Sequence, residues 1–136
     1  MCSKKFRPGL PLHLLFVYVC ISAIQVSGNE YVEDNSAIQL MCNATGRPDP
    51  PHNVDWFKDG QIVHSDVQRG LIVTKKIESR LLVSVLSIRF ARLSDAGQYV
   101  CLSSDGESAN INVHVLSGMS VSYITYISYF YLKESF

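Results

Sequence analysis

Few residues in this 136-residue chain could do chemistry, and most of those can be set aside at once. The four histidines, His13, His52, His64 and His114, are scattered, and none stands at ligand spacing from a second histidine or a cysteine pair, so no metal site is expected. Serine, histidine and aspartate are present, yet no serine sits in a nucleophile-elbow or similar motif. No glycine-rich phosphate loop occurs either. The expectation is a non-enzymatic protein with no cofactor and no small-molecule substrate. Two chemistries remain. One is thiol oxidation among Cys2, Cys20, Cys42 and Cys101. The other is N-glycosylation at Asn43-Ala44-Thr45, which reads N-x-T. The sequon has two readings: an occupied outward Asn43, or an unused site crowded by Cys42.

The densest cluster is Asp95-Ala-Gly-Gln-Tyr-Val-Cys101. Tyr99 stands two residues before a cysteine, with Asp95 and Gly97 ahead of it. This is the chemistry of a tyrosine corner, in which a phenol hydroxyl ties back to nearby backbone and Gly97 leaves room for the tight turn. Cys42 lies 59 positions before Cys101, and the single tryptophan, Trp56, lies between them. Trp56 is expected to pack on a Cys42–Cys101 disulfide. Asp95 is expected to form an ion pair, with Arg69 as the candidate and Arg80 as the alternative.

The elements that must position this cluster follow from patterning. Lys4, Lys5 and Arg7 form a basic start, Leu14 to Ile21 is an unbroken apolar run, and Ala23, Ser27 and Gly28 are small. Residues 1–28 therefore read as a secretory signal, with Val26 and Gly28 at the −3 and −1 positions and a cut after Ala23 as the alternative. The run is well short of the roughly 20 residues that span a bilayer. Removing the leader takes Cys2 and Cys20 away, so the surviving pair, Cys42 and Cys101, is expected to be oxidised. It also removes three of the 12 basic residues and none of the 12 acidic ones, leaving a formal charge of −3. That argues against nucleic-acid binding, which calls for a clustered basic face.

From residue 29 to 117 the chain alternates short apolar stretches with turn signals, and no long helical period appears. Ile38, Leu40 and Cys42 share one face of a strand, as do Val54 and Trp56, and Leu82, Leu86 and Ile88. Asp59-Gly60 is a hairpin signal that should bring Gln61–His64 back beside residues 54–58. Gly70 to Thr74 reads as a short strand. Asp105-Gly106 is a second hairpin signal before the alternating run that ends at Val115. About eight strands with turns every 8–12 residues predict an all-β, two-sheet Greek-key sandwich stapled by one inter-sheet disulfide.

The C…W…L-x-I…D-x-G-x-Y-x-C pattern, with Leu86 as its leucine, resembles the immunoglobulin superfamily in its I-set or V-like branch. Ser65-Asp66-Val67-Gln68-Arg69-Gly70 and the closing Val113-His114-Val115-Leu116-Ser117-Gly118 resemble the second immunoglobulin domain of the arthropod Dpr (defective proboscis extension response) family. That resemblance implies a neuronal cell-surface recognition protein, with other cell-surface or secreted immunoglobulin proteins as partners. Members of that family carry two such domains, bind mainly through the first, and end in a lipid anchor or a membrane span. Here one domain follows the leader directly. The Tyr-rich segment 118–136 is expected to be a poorly ordered tail, since Val121–Leu132 is too short to span and no anchor signal with a polar spacer is present.

Fixing Tyr99 and Cys101 inward turns Val100 and Leu102 outward. Together with Phe57, and with Ile62 and His64 at the edge, they form a candidate protein-binding face. The expected function is extracellular recognition or adhesion. The alternatives are a spacer module of a larger matrix or adhesion protein, and a soluble decoy.

Overall fold

A computed structural model describes residues 2–20, 23–46 and 48–118. The expected tail from residue 119 onward and positions 21–22 of the expected leader lie outside the described residues. The strands are β1 (Cys2–Phe6), β2 (Phe16–Cys20), β3 (Ile24–Gly28), β4 (Tyr31–Glu33), β5 (Ile38–Thr45) and β6 (Val54–Lys58). They continue with β7 (Gln61–Ile62), β8 (Leu71–Glu78), β9 (Leu81–Ile88), β10 (Gly97–Ser103) and β11 (Ser108–Leu116). Strands β1 and β2 pair only with each other. The rest make two sheets, one in the order β4-β11-β10-β6-β7 and one in the order β3-β5-β9-β8. The chain is thus all-β, an immunoglobulin-type sandwich of two sheets.

Period-two patterning builds both layers. Along β9, Leu82, Ser84, Leu86 and Ile88 are buried and the residues between them are half-buried. Along β5, Ile38, Leu40, Cys42 and Ala44 turn inward. Facing them from the other sheet are Val54, Trp56, Tyr99, Cys101, Ile111 and Val113. The Cys42–Cys101 disulfide crosses between the sheets and closes a separation of 59 residues. In the chain-entropy treatment a loop of that length contributes about 4 kcal/mol.

Two features differ from the expectations. Strand β3 lies ahead of the expected domain start at residue 29. It pairs with β5 from Ile24↔Ala44 to Gly28↔Leu40, and Ile24 is only 1% exposed. The Ala23 carbonyl also accepts hydrogen bonds from the Thr45 amide (2.8 Å) and hydroxyl (3.1 Å). The sandwich therefore incorporates residues from 23 onward. Second, β8 runs on to Glu78 rather than stopping near Thr74. Its Lys75 and Lys76 stand on the outermost strand of the sheet, where charge is tolerated and discourages edge-to-edge pairing. At the start of β10 stands Gly97. Its φ is +148°, and a Cβ there would lie 2.5 Å from the Asp59 carboxylate. Glycine is required to admit Asp59.

Candidate protein-binding face

The inner face fixes which residues point out. Tyr99 is buried, and its hydroxyl donates to the Asp95 carbonyl at 2.7 Å. Burial, and after it the negative charge of Asp95, pushes the phenol well above its ordinary value, so it holds its proton and remains a donor. Trp56 sits directly beside Cys101 in register, and its indole N–H donates to the Ser84 hydroxyl at 3.0 Å. Ser84 in turn donates to the Thr74 carbonyl at 3.1 Å. A serine in the middle of an apolar strand was the only sequence signal for this acceptor. It is what lets the indole N–H stay inside the core.

Below the core, Arg69 Nη2 lies 2.5 Å from both oxygens of Asp95. Asp95 Oδ2 also accepts the Arg92 amide at 2.7 Å. Arg80 sits in the turn joining β8 to β9, so the structure brings Arg69 rather than Arg80 to Asp95. At the β6–β7 hairpin, Asp59 (φ +47°) and Gly60 (φ +83°) form a turn with positive φ at both central residues, the arrangement that suits the twist of paired strands. The Asp59 carboxylate accepts the Gln98 amide at 3.0 Å and meets Lys58 at 3.3 Å. The Gln98 hydrogen bond, followed by Lys58, holds this carboxyl below its ordinary value of 3.8. The hairpin is thereby tied to the start of β10, which sets the register between β7, β6 and β10.

That register produces a single cross-strand row on the outer face. Ile62 pairs with Phe57, Phe57 with Val100, and Val100 with Asn110. Leu102 occupies the next row, opposite Asp55 and Ser108. Ile62 is 47% exposed and Leu102 37%, while Phe57 and Val100 are half-buried by their neighbours. The patch is continuous because opposed Cβ atoms in a sheet lie about 5 Å apart. At the other end of the face, Tyr31 on β4 stacks on His114 of β11 with ring centroids 4.9 Å apart. Sequence reasoning missed Tyr31, because only the parallel β4–β11 pairing brings it to the sheet. His64 does not join the row. It lies past the end of β7 and lines a depression with Val63, Ser65 and Lys75.

Asn43 lies on the opposite outer face, in the centre of its sheet between Gln25 of β3 and Val83 of β9. Among the described residues no group of three histidine, cysteine or acidic side chains is placed to hold a metal. No helix among them is long and apolar enough to cross a membrane.

Known proteins share this framework. The family model for the immunoglobulin domain matches residues 23–105, which include β3. The chain is 33% identical over 84 residues to the tyrosine-protein kinase receptor TYRO3 of Rattus norvegicus, covering 62% of this chain and 9% of that protein. It is 37% identical over 76 residues to Roundabout homolog 1 of Homo sapiens, covering 56% and 4%. It is 34% identical over 123 residues to hemicentin-1 of Mus musculus, covering 85% and 2%. The chain thus spans less than a tenth of the length of these relatives. Among solved structures, Dpr2 Ig1-Ig2 in complex with DIP-Theta Ig1-Ig3 superposes with a TM-score of 0.58 at 21% identity, covering 76% of this chain and 55% of that one. This last likeness speaks to fold. The match over residues 23–105, on a two-sheet frame with its Cys42–Cys101 staple and Trp56 between the layers, makes this chain a member of the immunoglobulin-domain family.

Proposed function

We propose that this chain is a non-enzymatic extracellular binding module. It recognises another cell-surface or secreted immunoglobulin-type protein through the outer face of the β4-β11-β10-β6-β7 sheet. The observation that carries this reading is the apolar row Ile62–Phe57–Val100, with Leu102 beside it, framed by Asp55, Ser108 and Asn110. An apolar centre with a polar rim is the anatomy of a specific interface. The resemblance of Ser65–Gly70 and Val113–Gly118 to the second domain of the Dpr family supports recognition at the neuronal cell surface. The basic start and apolar run before residue 24 support delivery by a secretory leader. We take the leader to end no later than Ala23, because β3 belongs to the sandwich.

The test is binding of the secreted domain to a panel of surface immunoglobulin proteins, with Phe57→Asp and Leu102→Asp as probes. The expected outcome is at least one partner for the native chain, and loss of that partner in both variants while the fold is retained. Partners bound equally well by both variants would remove the face from consideration. A second reading, a spacer within a longer array, is favoured by the hemicentin-1 match along 85% of the chain. It predicts a monomer that binds nothing on the panel.

A further inference from the structure

The second outer face carries its own apolar ground. On the β3-β5-β9-β8 sheet, Met41 of β5 pairs with Val85 of β9, and Asn43 pairs with Val83 one row along. Met41 is 39% exposed, and Val83 and Val85 are half-buried. Beyond them on the edge strand, Ile72 is also exposed. This patch is comparable in kind to the one on the opposite face, so apolarity alone does not say which sheet meets a partner. The sequon separates them. Asn43-Ala44-Thr45 lies in β5, and alternation puts Asn43 on the same side as Met41, Val83 and Val85. The Asn43 amide oxygen is buried in the sheet without a hydrogen-bond partner. The residue as a whole is half-buried, so part of its side chain reaches the surface of this face.

We infer that Asn43 carries an N-linked glycan whose first sugars lie over Met41, Val83 and Val85. It closes this sheet face to protein contact and, of the two outer sheet faces among the described residues, leaves the β4-β11-β10-β6-β7 face open. The inference rests on the extracellular part of the proposed function, because attachment takes place in the secretory pathway. It does not depend on which residues of the opposite face bind a partner. An oligosaccharide suits the position chemically. The apolar faces of sugar rings can lie on Met41 and Val85, while the hydroxyls meet the flanking Gln25, Thr74 and Lys76.

The test uses the full chain secreted from eukaryotic cells. Its intact mass is compared with that of Asn43→Gln and Thr45→Ala, two variants that abolish the sequon by different changes. The expected result is a mass excess of one N-glycan on the native chain, absent from both variants. Both variants should also bind an apolar dye several-fold more strongly and self-associate at lower concentration. Adding Met41→Lys to Asn43→Gln should reverse both gains. An unmodified Asn43 in secreted protein overturns the inference, and so does a glycosylated chain whose sequon variants match it in dye binding and association. Retention inside the cell with the leader uncleaved would overturn the secretion reading and the inference with it. Loss of partner binding in Phe57→Asp is read in a separate assay and stands or falls independently.

Discussion

The pair between Arg69 and Asp95 offers a quantitative test of how the corner is held. The Asp95 side chain is 10% exposed and Arg69 18%, so both charges are largely withdrawn from water. Asp95 receives one nitrogen of Arg69 on both oxygens and the Arg92 amide on one. Replacing Arg69 by methionine keeps most of the stem that packs against the domain but removes the charge. The carboxylate is then left with one donor and little water. Breaking a buried pair from one side costs about 3–5 kcal/mol, and the residual exposure places this site near the lower end, at about 3 kcal/mol. In a domain whose whole stability is of the order of 5–15 kcal/mol that is a large fraction. Urea unfolding followed by the fluorescence of Trp56, the single tryptophan, reads it directly. The midpoint should fall with the slope unchanged. Arg69→Met combined with Asp95→Asn should cost clearly less than the two single changes summed, because the double variant leaves no orphaned charge. Single costs that add to within about 0.5 kcal/mol would refute the reasoning, since they would mean the two groups do not share one interaction.

Other consequences follow from the same geometry. Tyr99→Phe should cost about 1–3 kcal/mol by leaving the buried Asp95 carbonyl without its donor, measured by the same unfolding assay. The secreted chain should begin at Ile24 or earlier when its N-terminus is sequenced. A start at Asn29 would remove β3 and uncover the core that Ile24 fills, at a cost of about 1.5–3 kcal/mol for that side chain alone. Asp59 has its carboxyl depressed by the Gln98 amide and Lys58, so the unfolded chain takes up a proton there before the native one does. Its contribution to stability is complete above the ordinary value of 3.8 and disappears as pH falls through the depressed native value. An Asp59→Asn variant should therefore show a shallower acid limb in stability against pH.

Much of this architecture can be read from residue order, and the exceptions have identifiable causes. The layers follow from alternation in β5, β9 and β11, where an inward set of Ile, Leu, Val and Cys leaves one solution for each strand. Cys42, Trp56, Tyr99 and Cys101 form a recognisable set because each needs the others to be buried. Strand β3 is harder to see, because Ile24 and Val26 continue the apolar run of the leader and only pairing with β5 distinguishes them. The length of β8 is hidden for a different reason. Edge strands carry lysines, and lysines read as loop when strand propensity is the guide. The outward direction of Phe57, Val100 and Leu102 is local and legible. Their union into one row is not, because it depends on a register set by the Asp59–Gln98 clamp, a contact between residues 39 positions apart. The stacking of Tyr31 on His114 is likewise a product of parallel pairing between the two ends of the domain. His64 shows the converse: it shares the outward parity of Ile62, but it lies beyond the last backbone bond to β6, which the Val63 amide makes to the Trp56 carbonyl at 2.8 Å.

The central claim is that the row Ile62–Phe57–Val100, with Leu102 beside it, meets a protein partner. The most direct measurement is the dissociation rate of the secreted domain from whichever surface immunoglobulin protein it binds, compared among the native chain, Phe57→Asp, and Lys76→Asp on the opposite sheet. Most interface mutations act on dissociation, and a buried aromatic anchor is commonly worth more than about 2 kcal/mol, or roughly 30-fold. Phe57→Asp should accelerate dissociation by that order, and Lys76→Asp should leave it unchanged. Equal rates for Phe57→Asp and the native chain, or a loss confined to Lys76→Asp, would contradict the claim.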